Sequence, residues 1–287
     1  MTIAYLNGVF LPLSEARVSV LDRGFLFADG VYEVIPVYGG KAFRLAQHLH
    51  RLNNSLSGIQ IRNPYDEERW AALVNRLIEQ NKASEQFLYV QVTRGTQEQR
   101  DHRFSAELEP TVFAMSAAPK ALPQDAIEKG VRLITLPDIR WRYCHLKTIA
   151  LLPNVLLRQQ ADDQSADEAI LIRDGYATEC TTANFFIVEN KTVITPPKGN
   201  DLLPGITRDL ILELLLNNGI SISEERVPKE RLYKADEIWI CSSTREVLPV
   251  NNIDGQPVSN GRPGSIWQET AALFTDYVEK LKRGEVA

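Results

Sequence analysis

Asp174-Gly175 lies between two short runs, Ala169-Ile170-Leu171-Ile172-Arg173 and Tyr176-Ala177-Thr178-Glu179, that read as strands. An Asp-Gly pair in that setting favours the type I′ turn, which needs positive φ at both central residues and matches the twist of paired strands. The chain here has little choice but a tight hairpin, and Glu179 falls on the returning strand. Strand signals continue on both sides: Val131 to Leu136, Phe185 to Glu189 and Thr192 to Thr195 around Asn190, Ala235 to Cys241, and Val247 to Ile253. Helices are predicted from Pro153 to Asp162, from Gly205-Ile206-Thr207-Arg208 onward, and from Ile266 to Lys282.

The first half carries its own signals. Ile3 to Phe10 and Ala16 to Leu21 read as short strands around turns, and Val31 to Tyr38 as a strand closed by Gly39-Gly40. Leu45, Leu49, Leu52 and Leu56 recur at helical spacing up to Ile59, with Arg51 at the border of that apolar face near His48 and Ser55. A second helix is predicted from Asp66 to Asn81, and strands over Phe87 to Arg94 and Thr111 to Ala117. Between those strands Gly95 to Glu109 is a long polar loop, a type of segment that usually has a function. Pro119-Lys120-Ala121-Leu122-Pro123 reads as a linker. The expected domains are therefore 1–118, a linker over 119–124, and 125–287.

Composition bounds the partners. At 287 residues the chain can bury a sizeable core as two domains or one large one, and 44% apolar with 24% charged residues describes an ordinary globular protein. A formal charge of −5 gives no basic footprint for nucleic acid or an anionic membrane. The first residues lack the basic and apolar regions of an export signal, and no apolar run approaches the roughly 18 residues that span a bilayer. A cytoplasmic location is expected. Cys144, Cys180 and Cys241 include no C-x-x-C pair, so reduced thiols are expected and no metal site. His48 and His50, two apart on a helix, cannot share a face.

Familiar nucleotide, phosphate-loop, serine-hydrolase and zinc-protease motifs are missing. What remains suits an aldehyde cofactor bearing a phosphate. Lys147, within Ile139-Arg140-Trp141-Arg142-Tyr143-Cys144-His145-Leu146-Lys147-Thr148, offers an amine, and Glu179 an acid for a ring nitrogen. Three phosphate-binding features accompany them: the cation of Arg51, the backbone N–H groups of Ile206 and Thr207 at a helix start, and the hydroxyls of Ser243 and Thr244. Taken singly, these are a surface ion pair, an ordinary helix start and a polar loop; together they describe a pyridoxal phosphate site.

The runs Asp22-Arg23-Gly24, Asp29-Gly30-Val31-Tyr32-Glu33, His48-Leu49-His50-Arg51-Leu52, His145-Leu146-Lys147, Glu179 with Asn184-Phe185, and Leu203-Pro204-Gly205-Ile206-Thr207-Arg208 resemble the fold type IV pyridoxal phosphate enzymes. They occur in order over most of the chain. The resemblance implies an α+β fold of two domains with the cofactor cleft between them, and pyridoxal 5′-phosphate as the cofactor. It implies Lys147 as the Schiff-base lysine and proton shuttle, Glu179 at the pyridine nitrogen with Asn184 helping to position it, and Arg51, Ile206, Thr207, Ser243 and Thr244 at the phosphate.

The long loop separates the subclasses. Thr93-Arg94-Gly95-Thr96 followed by Arg100-Asp101-His102 is similar to the loop of D-amino-acid aminotransferases, in which an arginine and a histidine, with Tyr32, hold the substrate carboxylate. In that family the loop crosses from a neighbouring subunit, which implies a homodimer. The implied reaction moves an amino group between D-alanine or other D-amino acids and 2-oxoglutarate in ping-pong half-reactions. Alternatives are a branched-chain aminotransferase for L-amino acids, aminodeoxychorismate lyase, an (R)-amine aminotransferase, and a silent cofactor-binding paralogue. The chain departs from the D-amino-acid pattern at Arg245 and at Cys180-Thr181-Thr182-Ala183, and Arg245 is expected to bear on substrate range.

Overall fold

A computed structural model describes residues 2–119 and 121–286. Lys120 of the expected linker lies outside the described residues. The chain divides into two compact units: Met1–Lys120 with Leu146–Leu151 and Val278–Ala287, and Ala121–His145 with Leu152–Tyr277.

The first unit is built on a six-stranded antiparallel sheet. From one edge its strands are Val9–Pro12, Ile3–Leu6, Thr111–Ala117, Gln86–Thr93, Gly30–Tyr38 and Lys41–Ala42. Asn7 and Gly8 close the first hairpin, and Gly39 and Gly40 the last, all with positive φ. The helices Leu45–Gly58 and Glu67–Asn81 cover the sheet: Leu49, Leu52 and Leu56 of one and Trp70, Leu73, Val74, Leu77 and Ile78 of the other join Val31, Ile35, Leu88, Val90 and Val92 in one core. Asp66 caps the second helix, its side chain accepting from the Arg69 N–H at 2.8 Å.

Two expectations need correction. Residues 16–21 form no strand: Val18 and Val20 are 54% and 69% exposed, and no neighbouring strand takes up their backbone groups. Lys147, expected in the carboxy-terminal domain, folds with the first unit. The Tyr32 N–H donates to the Lys147 carbonyl at 3.0 Å and the Ile149 N–H to the Gly30 carbonyl at 3.0 Å, so this segment pairs along the Gly30–Tyr38 strand.

The second unit holds a ten-stranded mixed sheet. Its main path runs Ile222–Glu224, Thr192–Thr195, Asn184–Glu189, Glu237–Ser242, Glu246–Ile253, Val131–Pro137, Glu168–Arg173, Tyr176–Cys180 and Val227–Pro228. Asp174 and Gly175 have φ of 52° and 81°, the type I′ hairpin that the sequence predicts. Phe185, Ile187, Ile238, Ile240, Leu248 and Val250 lie in its core. Leu136, Leu157, Ala161, Ala169 and Leu171 form a second cluster beneath the helix Leu152–Asp163. The three cysteines are free and buried. Among the described residues no helix is long and apolar enough to cross a membrane.

Candidate active site

In the first unit the Lys147 backbone is held at both ends. Its N–H donates to the Ser55 hydroxyl at 3.0 Å, and its carbonyl accepts from Tyr32. With the main chain fixed, the side chain lies over the Tyr32 ring, its Nζ 4.2 Å from the ring centre. Tyr32 stacks in turn on Tyr89.

Arg51 is buried on the inner face of its helix. Its Nε and Nη2 donate to the two oxygens of Glu33, each at 2.7 Å, and His48 Nδ1 meets the same carboxylate at 2.8 Å. Burial alone would lift the Glu33 carboxyl, but the Arg51 guanidinium and the His48 ring beside it bring it down to about 2. Burial pushes His48 down, against the pull of Glu33, so the ring is neutral at pH 7. Nδ1 then carries the proton to Glu33, and Nε2 is an acceptor with no partner among the described residues.

Glu33 was not singled out from the sequence, yet the signal was present. Alternation along a strand puts Val31, Glu33, Ile35 and Val37 on one face, and all four are buried. A carboxylate on an apolar face needs a cation, and Arg51 supplies it.

In the second unit Glu179 is buried on the returning strand of the Asp174-Gly175 hairpin. One oxygen takes a short bond from Arg140; the other accepts from the Leu203 N–H at 3.1 Å and the Asn184 amide at 3.4 Å. Arg140 also chelates Asp138 with two bonds of 2.9 Å, and Asp138 pairs with Arg173 at 3.0 Å. Burial lifts the Glu179 carboxyl, and Arg140 offsets this only in part. A further cationic N–H facing this carboxylate would complete the compensation, as a protonated ring nitrogen does.

The same strand region packs against a helix start. Asn184 donates to the Leu203 carbonyl at 3.0 Å, and Gly205 packs so closely that a Cβ there would lie 2.1 Å from Asn184 Oδ1. Gly205 begins the helix Ile206–Asn217 without a side-chain cap, and Ile206 and Thr207 are buried. A helix start whose cap residue offers its N–H groups no side-chain acceptor suits a phosphate. Ser243 and Thr244 form the turn between Glu237–Ser242 and Glu246–Ile253. The donors at Arg51, at this helix start and at this turn, with the acid at Glu179 and the amine at Lys147, therefore fit the chemistry of pyridoxal phosphate.

Arg245 is engaged. Its guanidinium lies 3.1 Å from Glu168, a fully buried acid that also accepts from the hydroxyls of Thr181 and Thr182. Arg100 and His102 lie exposed on the polar loop, Arg100 with its guanidinium 4.7 Å from the Phe27 ring and His102 with its ring 5.4 Å from it. Among the described residues Arg100 pairs with no carboxylate.

Comparison with known proteins adds to this geometry. The class IV aminotransferase family model matches residues 30–253. A D-alanine aminotransferase from Bacillus licheniformis is 41% identical over 260 residues, covering 91% of this chain and 91% of that protein. One from Staphylococcus aureus is 37% identical over 276 residues, covering 96% and 97%. Among solved structures, a branched-chain amino acid aminotransferase from Escherichia coli shares the fold, with a TM-score of 0.89 at 23% identity over 96% of this chain and 93% of that one. The branched-chain aminotransferase of Thermoproteus uzoniensis gives a TM-score of 0.87 at 25% identity, over 97% and 95%.

Proposed function

We infer the activity from one premise: this chain belongs to the class IV aminotransferases. We propose that it is a D-amino-acid aminotransferase, moving an amino group between D-alanine or other D-amino acids and 2-oxoglutarate in two half-reactions. The observation that carries this reading is the 41% identity to a D-alanine aminotransferase over 91% of both chains. The exposed Arg100 guanidinium, free of any carboxylate among the described residues, supports it as the receptor for the substrate carboxylate.

When bound, pyridoxal phosphate supplies an electron sink for the bond broken at the substrate Cα. Lys147 Nζ would hold the cofactor through its aldehyde and, as a free amine, would carry the proton between the substrate Cα and the cofactor's C4′. Its backbone bonds to Ser55 and Tyr32 fix the point from which the amine reaches. Glu179, oriented by Arg140, Leu203 and Asn184, holds a proton at the ring nitrogen. Arg51, the N–H groups of Ile206 and Thr207, and the hydroxyls of Ser243 and Thr244 hold the phosphate. Tyr32, Arg100 and His102 orient the carboxylate. The loop bearing Arg100 serves the site of a second copy in a homodimer, and its exposure in the single chain supports that arrangement.

Absorbance of the purified protein, recorded before and after D-alanine and then L-leucine with no keto acid present, tests this. The visible cofactor band should give way to a near-ultraviolet band with D-alanine, and Lys147→Ala should lack the original band. Conversion by L-leucine alone would favour a branched-chain aminotransferase instead. A colourless protein that gains no band with added pyridoxal phosphate would remove the cofactor reading altogether.

A further inference from the structure

Arg23 is 3% exposed, although it sits in the short helix Arg23–Phe27 beside the polar loop. Its guanidinium collects the loop's main chain. Nη1 donates to the Asp101 carbonyl at 2.6 Å and the Arg103 carbonyl at 3.4 Å, and Nη2 to the His102 carbonyl at 3.1 Å. Nη1 also reaches the Gln97 side chain at 3.3 Å. Three consecutive carbonyls therefore converge on one buried cation, a set of charge-assisted bonds that fixes the path of the backbone from 101 to 103.

The cation is itself anchored. Arg23 Nε donates to Asp29 at 2.9 Å, and Arg94 grips the same carboxylate with two bonds of 2.8 and 2.9 Å. Burial alone would lift the Asp29 carboxyl, but Arg94 and Arg23 hold it below its usual range. Arg94 lies 3.6 Å from the centre of the Phe104 ring, further along the loop. Phe27 completes the device. Its ring stands 4.8 Å from the Arg23 guanidinium, 4.7 Å from that of Arg100 and 5.4 Å from the His102 ring.

The local sequence is fitted to this purpose. Asp22 caps the short helix through the Gly24 N–H at 2.7 Å and accepts from the Thr111 hydroxyl at 2.7 Å. The Arg23 N–H donates to the Gly95 carbonyl at 2.8 Å, at the loop's root. Gly95 has a φ of 97°, and a Cβ there would lie 2.0 Å from the Glu109 carbonyl oxygen. Gly24 packs on Thr93, 2.3 Å from where its Cβ would be. Each end of the loop is thus closed onto the Asp22-Arg23-Gly24 run.

We infer that Arg23 and Phe27 are positioning residues that hold Arg100 and His102 in their binding arrangement before a carboxylate arrives. Arg23 fixes the loop backbone, and Phe27 gives the two side chains a common surface to rest on. The inference deepens the reading of Arg100 as carboxylate receptor and rests on it for its kinetic consequence. A preset loop spares the substrate the cost of ordering it, so the clamp acts on KM and leaves the proton chemistry at Lys147 untouched.

The test uses the holoenzyme with Arg23→Lys, Phe27→Leu and Arg100→Ala, singly and with each clamp change in the Arg100→Ala background. Trypsin cleavage after Arg100 or Arg103 reports the loop, and D-alanine kinetics report its effect. Each clamp variant should be cut faster and should raise KM by about tenfold with kcat little changed. In the Arg100→Ala background the same changes should add little, because their route is already closed; a merely structural loss would add in full. The visible cofactor band should stay as in the parent protein. Unchanged cleavage in Phe27→Leu overturns the clamp whatever the kinetics. Faster cleavage with an unchanged KM, where Arg100→Ala itself raises KM, overturns its role in binding. Should Arg100→Ala leave KM unchanged, the carboxylate reading of Arg100 fails, and faster cleavage would still establish the clamp.

Discussion

Glu33 shows how one buried acid organises its neighbours. It neutralises Arg51 through two bonds and sets the tautomer of His48, and both sit on the helix face that also presents Ser55 to Lys147. Its carboxyl falls from an ordinary value of 4.5 to about 2 in the fold. That contributes about 3 kcal/mol at neutral pH, fully present above about pH 4.5 and lost as the pH falls toward 2. Glu33→Gln removes the buried carboxylate that Arg51 and His48 share, so denaturant unfolding at pH 7 should show a loss of about 3 to 5 kcal/mol. The acid limb of the stability profile should flatten in the same variant. A loss below about 1 kcal/mol would mean that solvent or another acid compensates Arg51.

The helix start at Ile206 depends on the residue before it. Gly205 touches Asn184 so closely that any side chain must push the amide off Leu203 and Glu179. Gly205→Ala should therefore weaken pyridoxal phosphate affinity at least tenfold, about 1.4 kcal/mol, in an absorbance titration of the apoprotein. Its unfolding midpoint should fall as the buried amide loses its bonds, and unchanged affinity would detach this helix start from the phosphate. Elements such as this were legible in the sequence where their signals are local. The Asp174-Gly175 turn, the leucines of Leu45–Gly58 and the cap at Asp66 each specify their conformation within a few residues. Residues 16–21 carry a strand's composition but no strand, because pairing is supplied by a neighbour and composition cannot reveal whether one exists. The Arg140–Glu179 pair joins positions 39 apart, and Arg23 reaches carbonyls still further along the chain. Contacts of that kind are set by how sheets assemble, so Arg140, Glu33 and Arg23 stood in quoted motifs with no role attached.

At the scale of the whole molecule, the proposed exchange of loops between two copies has a direct readout. Lys147→Ala lacks the amine, and Arg100→Ala lacks the carboxylate receptor, so each should be poorly active at low D-alanine. Mixed and refolded together, they should regain activity, since one site of a hybrid dimer combines an intact Lys147 with an intact neighbouring loop. No recovery would place the loop beside its own lysine. The division into units also bears on how the protein is made. Synthesis delivers residues 1–120 first, then part of the second unit, and only afterwards 146–151, which return to the first. Until they emerge, the Tyr32 N–H and the Gly30 carbonyl that will bind Lys147 and Ile149 have no strand beside them. A nascent chain paused short of residue 146 therefore carries an open sheet edge beside Tyr32, and the segment bearing the proposed catalytic lysine doubles as the piece that seals it.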